Sequence, residues 1–581
     1  MILPAVLSIQ AIAASQQGSR IDVLLTNRPG LATSFAPGLP GVLFKPGWGG
    51  LTIGPIAVSP GGNWTLIGWV DLPSGQDEIV LANGVLVAQS SDLTPWTGGI
   101  EVLWFPNSAP AINDAGDVAF SATTNGNGSN LANEYIATRV GGVWAYAARE
   151  RDPIPYLPGA LFGAELDSPV LLADGTAGYI ARETLGSVPE SQDDVVAIGQ
   201  TLLVQQGVTA PAGQLGGALR PIATVQERRF GVSPDGSRWF VLANLEGDAG
   251  SDEVLVVDGA VALQEGAPAP GTASTSGEGD RVDDIDDVHL DGAGRWYARA
   301  TVSPGTRAIA VREGEVLARH RQRVTPGSAV RWKLSADQGG QLFGCTGNAL
   351  GDHVVTGTTD EADPSRDAVA VLNGRTVLLR EGDPFDHDGN GAFDDDAYIR
   401  QFEVGYGRLD DLGVYRALLW IRSGAGADLG KALVAIPTRG VGASFCAAEP
   451  NSTGEPASIR AHGSAEVTDA DLVLECSALP AGSAAFFLAS RTRGFVAMPG
   501  GSQGNLCLGG AIGRFVGPGQ VQGADALGQV ALRVDVTRHP TPSGFVAVVP
   551  GETWSYTCWY RDAVGGAATS NFSDGVEVAY R

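Results

Sequence analysis

The sequence predicts an all-β fold: a β-propeller of about seven blades closed by an N-terminal strand, then a β-sandwich. Three observations carry this. A short turn-and-strand motif recurs along residues 50–440 at a spacing of roughly 55–62 residues. Each copy is followed by a second half with Asp-Gly or Asn-Gly between alternating apolar runs. The last copy lacks part of that second half, and a matching piece stands at the other end of the chain.

The first half of the repeat is a turn with Asp or Asn and Gly leading into an apolar strand. It reads SPGGNW at 59–64, NDAGDVAF at 113–120, ADGTAGY at 173–179 and SPDGSRWF at 233–240. Then come DGAGRWY at 291–297, NALGD at 348–352 and DDLGVY at 410–415. Periods of this length belong to propellers and arrays.

The second half reads DEVLVV at 252–257, then Asp258 and Gly259, then AVALQ at 260–264 and EGAPAPG at 265–271. It returns as DAVAVL at 367–372, Asn373 and Gly374, RTVLLR at 375–380 and EGDP at 381–384. Type I′ turns need φ > 0 at both central residues, so Asp-Gly and Asn-Gly here predict tight hairpins. Each repeat then supplies about four strands, one propeller blade.

Closure follows from the ends. The seventh motif runs into KALVAI at 431–436 and stops. The missing half resembles IDVLLTNRPG at 21–30, followed by APG at 36–38. An N-terminal strand completing the last blade would leave no open sheet edge. A β-solenoid or open array would need no matching half-repeats at its ends.

The NDAGDVAF and EGDP units resemble those of an uncharacterised family of secreted bacterial propeller-like repeat proteins, over residues 20–438. The resemblance implies no reaction. Residues 441–581 read as short strands between Gly-rich turns, such as AAFFLA at 484–489 and GFVAVV at 544–549, and predict the sandwich.

Charge and composition narrow the function. The 581 residues carry a net charge of −26. Such a surface repels phosphate backbones and anionic lipid, which sets nucleic acid and direct membrane binding aside. Lysine occurs only at Lys45, Lys333 and Lys431, a compositional bias. The absence of a run of about eighteen apolar residues sets aside a transmembrane helix. The stretch at 1–14, with AIA at 11–13, resembles the end of a secretory signal, although a positive n-region is missing. A secreted or cell-surface monomer is the expectation, with an unknown extracellular protein or glycan as partner.

Five cysteines occur, four of them in the last quarter: Cys446, Cys476, Cys507 and Cys558. Four allow three pairings. Cys345 is left over and reads as a small buried residue. The C-terminal part also resembles a module common on secreted bacterial proteins. The matching residues are Cys446 with NSTG at 451–454, GGSQGNLCLGG at 500–510, PGETW at 550–554, WYRD at 559–562 and TSNFSDG at 569–575. That resemblance implies a bridge between Cys446 and Cys507, leaving Cys476 and Cys558 for a second. It also implies an accessory, surface or sorting role.

The sharpest chemical motif is DHDGNGAFDDD at 386–396. Asp386, Asp388 and Asn390 occupy alternate positions, Gly391 gives the turn, and Asp394 sits at position nine. A hard cation needs several oxygens converging from one tight turn, which points to a structural Ca2+. The Ala392 carbonyl would be the position-seven ligand. Ala397 stands where an EF-hand has its bidentate Glu, so the loop is not an EF-hand. It resembles the calcium loops of integrin-type propellers. A solvated acidic turn is the competing reading.

A second acidic stretch, DRVDDIDD at 280–287, lacks that spacing and reads as a charged loop between blades. None of the six histidines sits in a spaced metal set, and no nucleophile or phosphate-binding motif is present. Two function classes therefore stand. One is a non-catalytic, calcium-stabilised binding or structural propeller. The other is a propeller hydrolase or lyase acting on extracellular polysaccharide, which needs carboxylates converging at the axis. A central channel lined by Ala, Val and Gly would favour the first.

Overall fold

The computed structural model describes residues 21–46, 56–106, 109–125, 132–271, 280–303, 307–389, 393–470 and 472–581. The signal-like stretch at 1–14 lies outside them. The described residues form strands, short 3₁₀ turns and loops, with no α-helix among them.

Seven antiparallel sheets of four or five strands follow one another along the repeat region of the described residues. Sheet 1 comprises Ala57–Val58, Trp64–Trp69, Glu78–Ala82 and Val85–Gln89. Sheet 2 runs from Val102–Pro106 and Ala111–Ile112 through Val118–Asn125 and Glu134–Val140 to Val143–Arg149. Sheet 3 begins with Glu165–Leu171, sheet 4 with Ile222–Val232, sheet 5 with Arg281–Leu290 and sheet 6 with Leu342–Gly347. Sheet 7 takes Ala397–Phe402, Arg408–Leu409, Val414–Ser423 and Asp428–Pro437. Its last strand pairs antiparallel with Asp22–Thr26, Asp22 opposite Ala435 and Thr26 opposite Ala432. The N-terminal half-repeat thus joins the sheet that lacks it.

The hairpin residues adopt the backbone expected of them. Asp258 and Gly259 have φ of 49° and 80°, and Asn373 and Gly374 have 52° and 63°. The second and third strands of each sheet are largely buried; Ala368–Leu372 is buried at every position. Packing on both faces explains this. Phe240 and Leu255 of sheet 4 share a core with Ile285 and Trp296 of sheet 5. Val354 of sheet 6 shares one with Ile399 and Val434 of sheet 7. Leu25, Leu418 and Leu433 of sheet 7 pack with Leu66 and Ile79 of sheet 1. The architecture is all-β and propeller-like.

The repeated Asx residue has two tasks. Asn113 Oδ1 accepts the amides of Ala115 and Asp117, each at 3.0 Å, which closes its own turn. Asn113 Nδ2 donates to the Leu172 carbonyl of the next sheet at 3.0 Å. Asn348 repeats both, donating to the Asp410 carbonyl at 3.0 Å. The Asp411 amide donates to the Pro60 carbonyl at 2.9 Å, linking sheet 7 to sheet 1.

One expectation is corrected. From Arg281 on, the acidic stretch at 280–287 is not a loop between sheets; it lies within Arg281–Leu290, the first strand of sheet 5. Its charges are accommodated because Asp286 meets Arg229 at 3.3 Å and Arg299 at 2.9 Å. Two breaks in register, after Val282 and after Asp286, relieve the strict alternation.

The C-terminal region packs Ala484–Ser490, Thr553–Val564 and Ala567–Ala579 against a smaller sheet of Ser458–Gly463, Leu472–Ser477 and Val530–Arg533. Ile459, Leu474, Phe487, Trp554 and Tyr556 fill one core between them. This region seats on sheet 6 and the connection leading into it. Thr325 Oγ1 donates to the Leu527 carbonyl at 2.6 Å, and Arg380 meets Asp525 at 2.8 Å.

Cys446 and Cys507 are disulfide-bonded. The second bridge implied by resemblance is not formed: Cys476 and Cys558 are buried free thiols. They face each other within the core, where burial and then Cys558 hold the Cys476 thiol well above its ordinary range. Cys345 is buried, its thiol donating to the Ala298 carbonyl at 3.3 Å.

Candidate functional site

Two places hold chemistry: the acidic loop, and a central cavity where the first strands of the sheets meet.

In the acidic loop, carboxylate oxygens of Asp386, Asp388 and Asp395 come within 4.8 Å of one another. Asp386 and Asp388 are thus brought together as expected. Asp395 joins them, a residue the spacing argument passed over; Asp394 is outside the group of three. Asn390 and Ala392 lie outside the described residues. The loop is preorganised by its own amides. Asp395 Oδ2 accepts from His387 N at 2.7 Å and Asp388 N at 3.1 Å, and Asp386 Oδ1 accepts from Gly389 N at 2.9 Å. All three groups are hard oxygen donors, the kind Ca2+ takes.

His387, at a non-ligand position, turns inward and is fully buried. Its Nε2 lies 2.8 Å from Thr26 Oγ1, and its Nδ1 lies 3.2 Å from Arg28 Nη1. The loop is thereby pinned to the N-terminal strand.

The central cavity has a volume of about 290 Å³ and is lined by residues of six of the seven sheets. The repeat sets its wall. Two positions before each turn stand Ala57, Ala111, Val170, Gly231, His289, Thr346 and Arg408, one from each sheet in order. All but Thr346 face the cavity; Thr346 Oγ1 instead accepts the Leu409 amide at 3.1 Å. Sheets 1–4 offer small or apolar groups at this level, and sheets 5 and 7 offer an imidazole and a guanidinium. Sequence reasoning missed His289 and Arg408, although their departure from the repeat's small residue was a visible signal.

The charged groups around the cavity each have an internal ion-pair or hydrogen-bond partner. Arg408 meets Asp287 at 3.7 Å and donates to the Gly407 carbonyl at 2.7 Å. Asp114 accepts the Gly61 amide at 2.6 Å. Asp291 accepts the amides of Ala293 and Arg295 at 2.9 and 3.0 Å and pairs with the Arg295 side chain at 2.8 Å. Just beyond, burial and then the carboxylates of Asp291 and Asp114 push Asp411 above its ordinary range, partly offset by the Ala349 amide. The turns close this end tightly: a Cβ on Gly292 would meet Asp411 Oδ2 at 2.3 Å.

His289 stacks on Tyr297, ring centroids 5.1 Å apart and planes 13° from parallel. Burial, then the Arg408 charge, holds its pKa well below the ordinary range, so the ring is neutral. Both its nitrogens are shut off from solvent without a hydrogen-bond partner, and so is Ser168 Oγ of sheet 3. Ser168 has φ of 52° where the register of sheet 3 breaks, and Asp287, two residues before His289, has φ of 41° at the equivalent break in sheet 5. Such bulges re-aim side chains.

No protein-family model and no curated protein matches the sequence. Among solved structures, similarity extends to prolyl oligopeptidase B from Galerina marginata. The identity is 11% and the TM-score 0.26, over 78% of this chain and 54% of that one. This chain therefore spans about half the length of that enzyme. A protein of unknown function from Dyadobacter fermentans is 12% identical at a TM-score of 0.23, covering 57% of this chain and 93% of that one. Bacteroides ovatus xyloglucan PUL GH43B is 10% identical at 0.20, covering 92% of both chains. Likenesses this distant carry no function across. No helix among the described residues is long and apolar enough to cross a membrane.

Proposed function

We propose that the chain is a non-catalytic binding or structural protein of the cell exterior, a seven-bladed propeller closed by Asp22–Thr26 and stabilised by calcium. The observation that carries the reading is the cavity wall. Where the alternative needs converging free carboxylates, the repeat sets Ala57, Ala111, Val170 and Gly231, and the nearby Asp114 and Asp291 are engaged by internal donors.

Closure is supported by the pairing of Asp22–Thr26 with Asp428–Pro437, the core shared by sheets 7 and 1, and the bond from Asp411 to Pro60. Export is supported by the Cys446–Cys507 bridge, since disulfides persist in oxidising compartments. Calcium is supported by the convergence of Asp386, Asp388 and Asp395.

The test is an incubation of the full chain with a panel of neutral and anionic extracellular polysaccharides. Reducing ends and unsaturated uronates are followed against a heat-denatured control. The reading expects retention of polysaccharide or protein partners without turnover. Turnover above the control would overturn it in favour of a hydrolase or lyase.

A further inference from the structure

We propose that a cleft at the seam between sheet 6 and the C-terminal region binds a small anion bearing a carboxylate or sulfate group, held by Arg439 and Arg460. The inference goes beyond the binding reading above and does not involve the central cavity.

The cleft has a volume of about 270 Å³. Three parts of the chain build its wall. Asp352 and Arg375 come from the turns of sheet 6, and Arg439 from the connection that leaves sheet 7 after Pro437. Arg460 and Ser477 come from two paired strands of the C-terminal region. Three guanidiniums thus converge on one space in a chain whose net charge is −26. Asp352 is the one carboxylate in the lining.

The partners of each group decide the charge of the ligand. Arg375 pairs with Glu455 at 2.9 Å, and Asp352 accepts from Asn373 Nδ2 at 2.8 Å. Arg439 is exposed, and among the described residues neither it nor Arg460 touches a carboxylate. Arg460 is partly buried, and its guanidinium makes one hydrogen bond, from Nη2 to the Thr438 carbonyl. Its Nε and Nη1 have no acceptor among the described residues, yet they are not sealed from solvent. They are therefore reachable from the cleft that Arg460 lines. Burial lowers the pKa of Arg460 from its ordinary range, against the attraction of Glu475 and Asp352. Glu475 itself lies outside the lining and is engaged by His462 at 3.2 Å. A guanidinium carries five N–H donors in a fork that fits a carboxylate or sulfate. An anion supplies the acceptors that both side chains lack. A neutral ligand would leave two cations without a counter-ion, and a cation would meet both at once. The negative charge of the whole chain acts on an anion from farther away, and salt at about 0.15 M screens it beyond about 8 Å.

The experiment is calorimetric titration of the full, oxidised chain in calcium-free buffer. The probes are D-glucuronate, D-glucose and D-glucosammonium, sugars of one size and three charges, together with inorganic sulfate. Glucuronate is expected to bind at least about tenfold tighter than glucose, a difference of about 1.4 kcal/mol, and glucosammonium more weakly than either. Sulfate as tight as glucuronate would support the proposal with the oxyanion as the whole determinant; weaker sulfate would support it with the sugar ring held as well. Arg460→Gln and Arg439→Gln should each weaken glucuronate by about tenfold or more and leave glucose unchanged. Asp352→Asn removes the carboxylate of the wall and should tighten glucuronate, which a purely structural role for these residues would not produce. Should Arg460→Gln fail to fold, the exposed Arg439 still allows the test. Equal binding of glucuronate and glucose, tighter binding of glucosammonium, no saturable binding of glucuronate or sulfate, or an unchanged affinity in Arg439→Gln would each overturn the proposal. None of these outcomes measures polysaccharide turnover, so the two readings fail separately.

Discussion

His387 Nε2 lies 2.8 Å from Thr26 Oγ1, joining the acidic loop to the N-terminal strand across 361 positions of sequence. The contact is buried, and Thr26 Oγ1 also donates to the Lys431 carbonyl at 2.8 Å. One threonine therefore ties the first strand both to its partner strand and to the loop.

The first prediction follows from this contact. His387→Ala leaves a cavity and strips a buried hydroxyl of a partner, and should cost about 2–3 kcal/mol. Thr26→Val should cost less. In a double-mutant cycle by urea denaturation the pair should show about 1 kcal/mol of coupling. Strict additivity would mean that the link carries no energy.

Calcium should act through the same connection. If Asp386, Asp388 and Asp395 hold the ion, saturating Ca2+ at a hundredfold over its Kd stabilises the fold by about 2.7 kcal/mol. Scanning calorimetry with and without Ca2+ reads this directly. Asp388→Asn and Asp395→Asn should each abolish the shift, whereas Asp394→Asn should reduce it less. An unchanged melting temperature in wild-type protein would remove calcium from the account.

Much of this fold could be read in advance, because repetition amplifies weak signals. One Asn-Gly is a hint, but Asn373-Gly374 and Asp258-Gly259 in equivalent positions are a rule. The half-repeat at 21–30 located its partner strand for the same reason. The acidic strand at 281–290 was misread because propensity counts charge, whereas Asp286 lies between Arg229 and Arg299 of neighbouring strands. Asp395 was missed because ligand spacing follows a template, and a chain can fold a different carboxylate inward. His289 and Arg408 were passed over because each is ordinary alone, and only the alignment of one residue per sheet puts them in the cavity wall.

The cysteines give a third prediction. Peptide mapping without reduction should recover Cys446 linked to Cys507, with Cys476 and Cys558 alkylated after unfolding and protected before it. The closed loop spans 61 positions, so Cys507→Ala should cost about 2–4 kcal/mol. A peptide joining Cys476 to Cys558 would show that the facing thiols oxidise in the native core. One joining Cys446 to Cys476 would contradict the fold.

The last prediction concerns pH, where two buried groups should contribute in opposite directions. Burial and then Asp367 push Glu381 of the repeat region from its ordinary 4.5 up to about 7. The folded state then binds the proton more tightly than the unfolded one. The stability Glu381 contributes is full below pH 4.5 and is lost as pH rises toward 7. Glu381 is only partly buried, so solvent screening reduces this to about 1 kcal/mol. In the C-terminal core, burial lowers His539 from 6.5 to about 4, with its Nε2 2.9 Å from the Tyr556 hydroxyl. Here the unfolded state binds the proton more tightly, so the stability is present above pH 6.5 and is lost as pH falls toward 4, by about 3 kcal/mol. Acidification from pH 7 to 4 should therefore add the contribution of Glu381 and remove that of His539. Calorimetric scans across this range test it. Glu381→Gln should flatten the response of the repeat region and leave the C-terminal one. His539→Gln should do the reverse. Parallel shifts of the whole chain in both variants would show that the two regions unfold as one unit.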